Sequence, residues 1–221
     1  MKIPACAKLR PVRTLVYGMQ SSGASLFALF LAQRPDTIAV IDVWDGVVVP
    51  DFSDAQKDVI VKCVVASVVP FEQHIASFKP DVTILFLRSR SSNIASLSGK
   101  GYRNHGGRME DKFAQLDRET EQYKDAFDYV INYEDFLNDR PKVLSALGKL
   151  AAPEYYDFKR TRSDILMFNR THSEWCRKYY RSRWSFGNIH FERNGTVQLT
   201  PGDGQPQKRT LFNRIERLWS Y

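Results

Sequence analysis

Short apolar runs alternate along the first 150 residues with stretches of helical spacing, and this alternation predicts a parallel sheet. Thr14 to Tyr17 is an apolar run, and Ser25 to Gln33 has the spacing of a helix ended by Arg34-Pro35-Asp36. Thr37 to Val43, dense in β-branched residues, predicts a second strand. A loop with Trp44, Gly46 and Pro50 follows, and Asp58 to Val65 is a third strand-like run interrupted only by Lys62. Pro70 to Phe78 has helical spacing, and Val82 to Leu87 predicts a fourth strand. Asn93 to Leu97 begins another helix, soon interrupted by Gly99-Lys100-Gly101. The charged stretch Arg108 to Asp125 reads as a solvent-facing helix, Asp128 to Tyr133 as a fifth strand, and Arg140 to Leu150 as a helix with Pro141 near its start. Strands separated by helices need right-handed crossovers, so the expected fold is α/β, with a mostly parallel central sheet flanked by helices. Residues 1–153 would form this core. Residues 154–221 would be a basic, aromatic-rich C-terminal segment packing on the same domain, with Ile189 to Glu192 and Thr196 to Leu199 forming a hairpin about Asn194-Gly195.

Composition narrows the partners without choosing one. The 221 residues, 43% of them hydrophobic and 26% charged, suffice for one substantial core. A net charge of +7 favours an anionic ligand, whether nucleotide, acidic glycan, nucleic acid or lipid surface. Much of the excess lies after Lys159, but no nucleic-acid-binding module accompanies it, so that charge reads as solvated helix faces and nucleic acid is not the expected partner. No apolar stretch approaches the ~20 residues of a membrane span. Met1 to Val12 carries charges and prolines where a signal peptide would be apolar, so the expected location is cytoplasmic. Cys6, Cys63 and Cys176 are widely spaced and odd in number, which reads as reduced thiols and no metal site.

Three segments carry candidate chemistry. Gly18-Met19-Gln20-Ser21-Ser22-Gly23-Ala24-Ser25 joins the first strand to the first helix. The amides of Ser22, Gly23, Ala24 and Ser25 would lie unpaired at a helix N-terminus and form an anion site, with Gly23 allowing close approach. The segment lacks the glycine frame and the Gly-Lys-Ser/Thr ending of a Walker A loop. Lys62 places an ammonium inside a strand that would otherwise be buried, where it needs a partner or a charge to neutralise. Arg88 and Ser96 stand eight residues apart behind the fourth strand and would deliver polar groups to the same sheet edge as the turn.

In these segments the chain resembles the sulfotransferases that use 3′-phosphoadenosine 5′-phosphosulfate (PAPS). The matching segments, in order, are Tyr17 to Leu26, the strand Val59-Ile60-Val61-Lys62, Arg88 to Ser96 and Tyr133-Glu134-Asp135-Phe136-Leu137; the resemblance spans Arg13 to Pro153. It implies a P-loop-like sulfotransferase architecture and in-line transfer of a sulfuryl group to a hydroxyl or amine, releasing adenosine 3′,5′-bisphosphate (PAP) without a metal. By resemblance Gly18, Ser21, Ser22, Gly23, Ala24 and Ser25 would cradle the 5′ end, Lys62 would stabilise the transferred group, and Arg88 with Ser96 would hold the 3′-phosphate. Phe191 to Val197 is similar to the family's late arginine- and glycine-containing loop, which adds Arg193 as a candidate ligand.

The departures are specific. The family's turn usually carries a basic residue where this chain has Ser21 and a threonine where it has Ala24, so that Lys62, Arg13, Arg90 or a C-terminal arginine must supply the charge. The histidine that often follows the strand lysine is absent, since Cys63 and Val64 stand there. Asp42, Asp45 and His105 are the candidate bases. A nucleotide kinase or other P-loop transferase, a non-catalytic nucleotide-binding protein and a nucleic-acid-binding protein remain alternatives. The acceptor, whether glycan, lipid, phenol or peptide, is not specified by the sequence; Trp44, Tyr102, His105 and the aromatics of Tyr155 to Trp184 are candidates to line its cleft. Nor is the oligomeric state.

Overall fold

In the computed structural model, the description covers residues 10–32, 34, 37–40, 48–49, 51–53 and 55–150, with the backbone of three short strands between 185 and 199. A six-stranded sheet runs in the order β5-β4-β1-β3-β2-β6. Its strands are β1 (Arg13–Gly18), β2 (Thr37–Val40), β3 (Asp58–Val64), β4 (Val82–Leu87), β5 (Tyr129–Asn132) and β6 (Ser185–Phe186). β1 to β5 are parallel throughout, whereas β6 pairs antiparallel with the outer side of β2. The α/β fold with a mostly parallel sheet is thus as expected, with one antiparallel strand added from the C-terminal segment. β7 (Ile189–Phe191) and β8 (Val197–Leu199) pair antiparallel, as the hairpin reading required.

Helices cover both faces. α1 (Ala24–Leu31), α5 (Tyr133–Asn138) and α6 (Arg140–Leu147) supply buried residues to one cluster, in which Phe27 stacks on Phe86 with ring centroids 4.8 Å apart and Phe136 meets both Phe27 and Phe30 edge-on at 5.3 Å. α2 (Phe71–Phe78), α3 (Arg90–Ser98) and α4 (Met109–Gln122) build the other, around Tyr17, Phe71, Phe78, Leu97, Phe113 and Leu116. Each aromatic ring so buried contributes roughly 1.5–3 kcal/mol of apolar transfer. The strands are apolar on both faces because both are covered, which is why they read as continuous runs.

One expectation fails. α4 is not a solvent-facing helix: Lys112, Phe113, Gln115, Leu116 and Glu119 are buried along one stripe of it. The charged residues on that stripe have polar partners in the core, so charge density alone misreported the face.

The strand order places the site. β1 lies between β3 and β4, the chain leaving it toward β2 and β3 on one side and later toward β4 and β5 on the other. That reversal falls at the C-terminal ends of β1 and β4, the place where α/β sheets receive ligands. The opposite edge is held by carboxylates. Asp58 accepts from the amide of Val12 at 2.9 Å and pairs with Arg34 at 3.0 Å; Asp81 accepts from the amide of Arg13 at 2.9 Å; Asp128 accepts from the amide of Thr83 at 2.7 Å. No helix among the described residues is long and apolar enough to cross a membrane.

Candidate functional site

The turn after β1 is shaped by two glycines. A Cβ on Gly18 would lie 2.4 Å from the carbonyl oxygen of Phe86, so only glycine lets β1 pass this close to β4. Gly23 caps α1 at φ 98°, and a Cβ there would lie 2.4 Å from the ring of Tyr133. Ser21, at φ 60°, gives the turn its second left-handed residue. The amide of Ser22 closes the turn on Met19 O at 3.2 Å, and the first helical bond runs from the Phe27 amide to Gly23 O at 3.1 Å. The amides of Gly23 to Leu26 therefore precede the helical ladder, at the positive end of α1. The Ala24 amide faces Ser22 Oγ at 3.4 Å.

The segment after β4 is bonded directly to this turn. Arg88 Nη1 donates to Ser21 O at 3.0 Å, and Asn93 Nδ2, buried on α3, donates to Gln20 O at 2.7 Å. The Arg88 guanidinium lies 4.7 Å over the ring of Tyr133, the same ring that backs Gly23. Its Nε is buried with no hydrogen-bond partner among the described residues. Arg88 thus ties the two elements together while keeping donor capacity in hand. Ser96, on α3, and Ser21 meet at one ammonium: Lys100 Nζ donates to Ser21 Oγ at 2.9 Å and to Ser96 Oγ at 3.4 Å. The structure therefore brings together Gly18, Ser21, Ser22, Gly23, Ala24, Ser25, Arg88 and Ser96 at one edge of the sheet.

Lys62 is buried in β3, in register with Val16 of β1 and two residues before the strand's C-terminal end. It lies on the same strand face as Ile60, whose side chain belongs to the α1 cluster. His105 is exposed in the connection between α3 and α4. Asp42, Asp45, Trp44, Arg193 and the aromatics of Tyr155 to Trp184 lie outside the described residues. Two proposed sources of extra charge are engaged elsewhere. Arg13 begins β1 at the opposite edge, roughly 16 Å of strand from the turn, and meets Asp81 at 3.5 Å. Arg90 pairs with Asp117 of α4 at 3.0 Å and covers Phe113.

Sequence reasoning missed the residues that lock this edge. Fully buried Lys112 donates to Gln20 Oε1 at 2.7 Å, to Arg103 O at 2.9 Å and to His105 O at 2.7 Å, clamping the α3–α4 connection onto the turn after β1. Ser67, just after β3, holds the same connection through Gly106 O, at 2.7 Å from its amide and 3.0 Å from its hydroxyl. Glu134 accepts from the amide of Ser89 at 3.2 Å. Burial pushes its carboxyl pKa up, but hydrogen bonds from its own amide and from Ser89, with Arg88 nearby, outweigh this and leave it lowered. Tyr133-Glu134 thus supports the site as well as ending β5. The only trace of the clamp in the sequence is a lysine on the inner stripe of α4.

The chain matches no protein-family model and no curated protein sequence. Among solved structures it is similar to a crystal structure of a mouse sulfotransferase complexed with PAP, at 12% identity and a TM-score of 0.41, over 72% of this chain and 63% of that one. The chain thus spans less than two thirds of that neighbour's length.

Proposed function

We propose that this chain is a sulfotransferase that moves a sulfuryl group from PAPS to a hydroxyl or amine of an acceptor and releases PAP. The observation that carries the reading is the bond from Arg88 Nη1 to Ser21 O, which joins the arginine–serine segment to the phosphate turn. A single edge thereby offers helix-terminal amides, hydroxyls and a guanidinium to a nucleotide bearing phosphates at two ends. The buried Nε of Arg88, with no hydrogen-bond partner among the described residues, fits such a ligand.

In this reading Ser22, Gly23, Ala24 and Ser25 hold the 5′ end, and Arg88 with Ser96 holds the 3′-phosphate. PAPS supplies the activated sulfuryl group. Lys62 neutralises charge developing on the transferred group, and Asp42, Asp45 or His105 takes the acceptor's proton. Positioning and charge stabilisation carry the transfer.

Calorimetric titration with PAP, against AMP and ATP with magnesium, tests the proposal. Micromolar binding that requires the 3′-phosphate is expected. Arg88→Ala should lower PAP affinity by about 10- to 100-fold, the worth of a hydrogen bond to a charged group, with a much smaller effect on AMP. Lys62→Ala should mainly lower turnover once an acceptor is found. A preference for ATP with magnesium, or equal losses for both nucleotides on Arg88→Ala, would overturn the assignment.

A further inference from the structure

Residues 18–25 contain no basic side chain, yet an ammonium stands at the turn. We infer that Lys100, from the connection after α3, is a ligand of the bound nucleotide and supplies the positive charge that Ser21 does not. The inference rests on the function proposed above and extends it to a residue on a different element.

Three observations support it. Lys100 is only 9% exposed, although lysine normally keeps its amine in water. Its Nζ lies between Ser21 Oγ at 2.9 Å and Ser96 Oγ at 3.4 Å, hydroxyls from the two elements assigned to the two ends of the nucleotide. Its backbone is fixed: the Lys100 amide continues α3 by donating to Leu97 O at 2.9 Å, and the Arg103 amide returns to Lys100 O at 3.2 Å. Beyond it, Lys112 and Ser67 grip the carbonyls of Arg103, His105 and Gly106.

An ammonium held this way is preorganised. It meets an arriving anion without first ordering a long side chain, and the surrounding low dielectric strengthens the attraction. The hydroxyls of Ser21 and Ser96 hold it in place and can exchange it for phosphate oxygens, which are stronger acceptors. A long basic side chain at position 21 would compete with Lys100 for the same space and place two like charges together.

The test measures PAP affinity by calorimetry for the full chain, Lys100→Gln, Lys100→Ala and the double variant Lys100→Ala with Ser21→Lys. Thermal unfolding without nucleotide serves as the folding control. Lys100→Gln keeps most of the side chain's bulk and should bind PAP at least tenfold more weakly with a near-normal unfolding temperature. The double variant should recover at least threefold relative to Lys100→Ala, because charge returns to the same point from the turn itself. If the unaltered chain binds PAP and Lys100→Gln stays within twofold of it, Lys100 is not a ligand, and the proposed function stands without it. Loss on Lys100→Ala with no recovery in the double variant would overturn the substitution of one cation for another. Failure of the unaltered chain to bind PAP would remove the reading on which the inference depends.

Discussion

His74, at 1% exposure, shows how one buried titratable side chain sets a pH dependence. The amide of Val49 donates to its Nδ1 at 3.2 Å, so the neutral ring carries its proton on Nε2, which faces Cys63 Sγ at 3.3 Å. Protonation would break the Val49 bond and leave a charge in the apolar cluster. Burial accordingly lowers the pKa of His74 to about 4. The unfolded chain, near 6.5, takes up this proton first, so the contribution to stability is complete above about pH 6.5 and is lost as pH falls toward 4. Between pH 7 and pH 5 the loss should be about 2 kcal/mol. Urea unfolding of the full chain and of His74→Gln across this range checks it, with the slope missing from the variant. Equal slopes would assign the acid sensitivity to other groups. At this scale the sequence was informative where one residue type has one use, as with Gly23 before a helix. It was uninformative for Lys100 and Lys112, since a lysine's role depends on what it meets and their partners Ser21 and Gln20 are remote in sequence.

Among the elements, α4 departs most from its sequence pattern. Its inner stripe places Lys112 and Glu119 at positions where an amphipathic helix would carry apolar residues. Each carries a connection between elements. Glu119 Oε2 accepts from Tyr17 OH at 2.6 Å, while Oε1 accepts from the amide of Phe71, the first residue of α2, at 2.9 Å and from Gln115 Nε2 at 2.7 Å. The carboxylate thus caps α2 from a neighbouring helix and ties α4 to β1. Burial, and then the Glu119 charge, push the Tyr17 hydroxyl pKa upward, so Tyr17 remains a donor throughout the ordinary pH range. Glu119→Ala would remove the acceptor of three buried donors. Equilibrium unfolding should show a destabilisation of about 2–4 kcal/mol, with a smaller loss for Glu119→Gln. A cost for the alanine variant below about 1 kcal/mol would mean that water satisfies these groups instead. The strands and most helices were legible because burial on both sheet faces produces unmistakable apolar runs. The face of α4 was not legible, because its charges are satisfied by partners about 50 and 100 residues away in the chain.

Among the described residues the two edges of the sheet use their charges differently: carboxylates at one edge are engaged by backbone amides and arginines, while cations stand at the other. Asp58, Asp81 and Asp128 hold the N-terminal edge, where they bond the amides of Val12, Arg13 and Thr83. Arg88 and Lys100 stand at the C-terminal edge with the positive end of α1. A chain of net charge +7 with this arrangement should draw a multiply charged nucleotide to one side. The alternation of elements foretold the parallel sheet, but not the antiparallel β6 on β2, because two residues, Ser185 and Phe186, are too few to leave a pattern. Occupation of the site should stabilise the fold through ligand linkage. At about a hundredfold excess of PAP over its dissociation constant the stabilisation is about 2.7 kcal/mol, which for a chain of this size raises the unfolding temperature by roughly 5–10 °C. Because the proposed contacts are charged and partly open to solvent, salt should weaken binding and reduce the shift at fixed PAP. Thermal unfolding with and without PAP, in dilute buffer and in half-molar sodium chloride, measures both effects. A shift that salt leaves unchanged would place the binding energy in base stacking and shape, and would count against Arg88 and Lys100 as the dominant contacts.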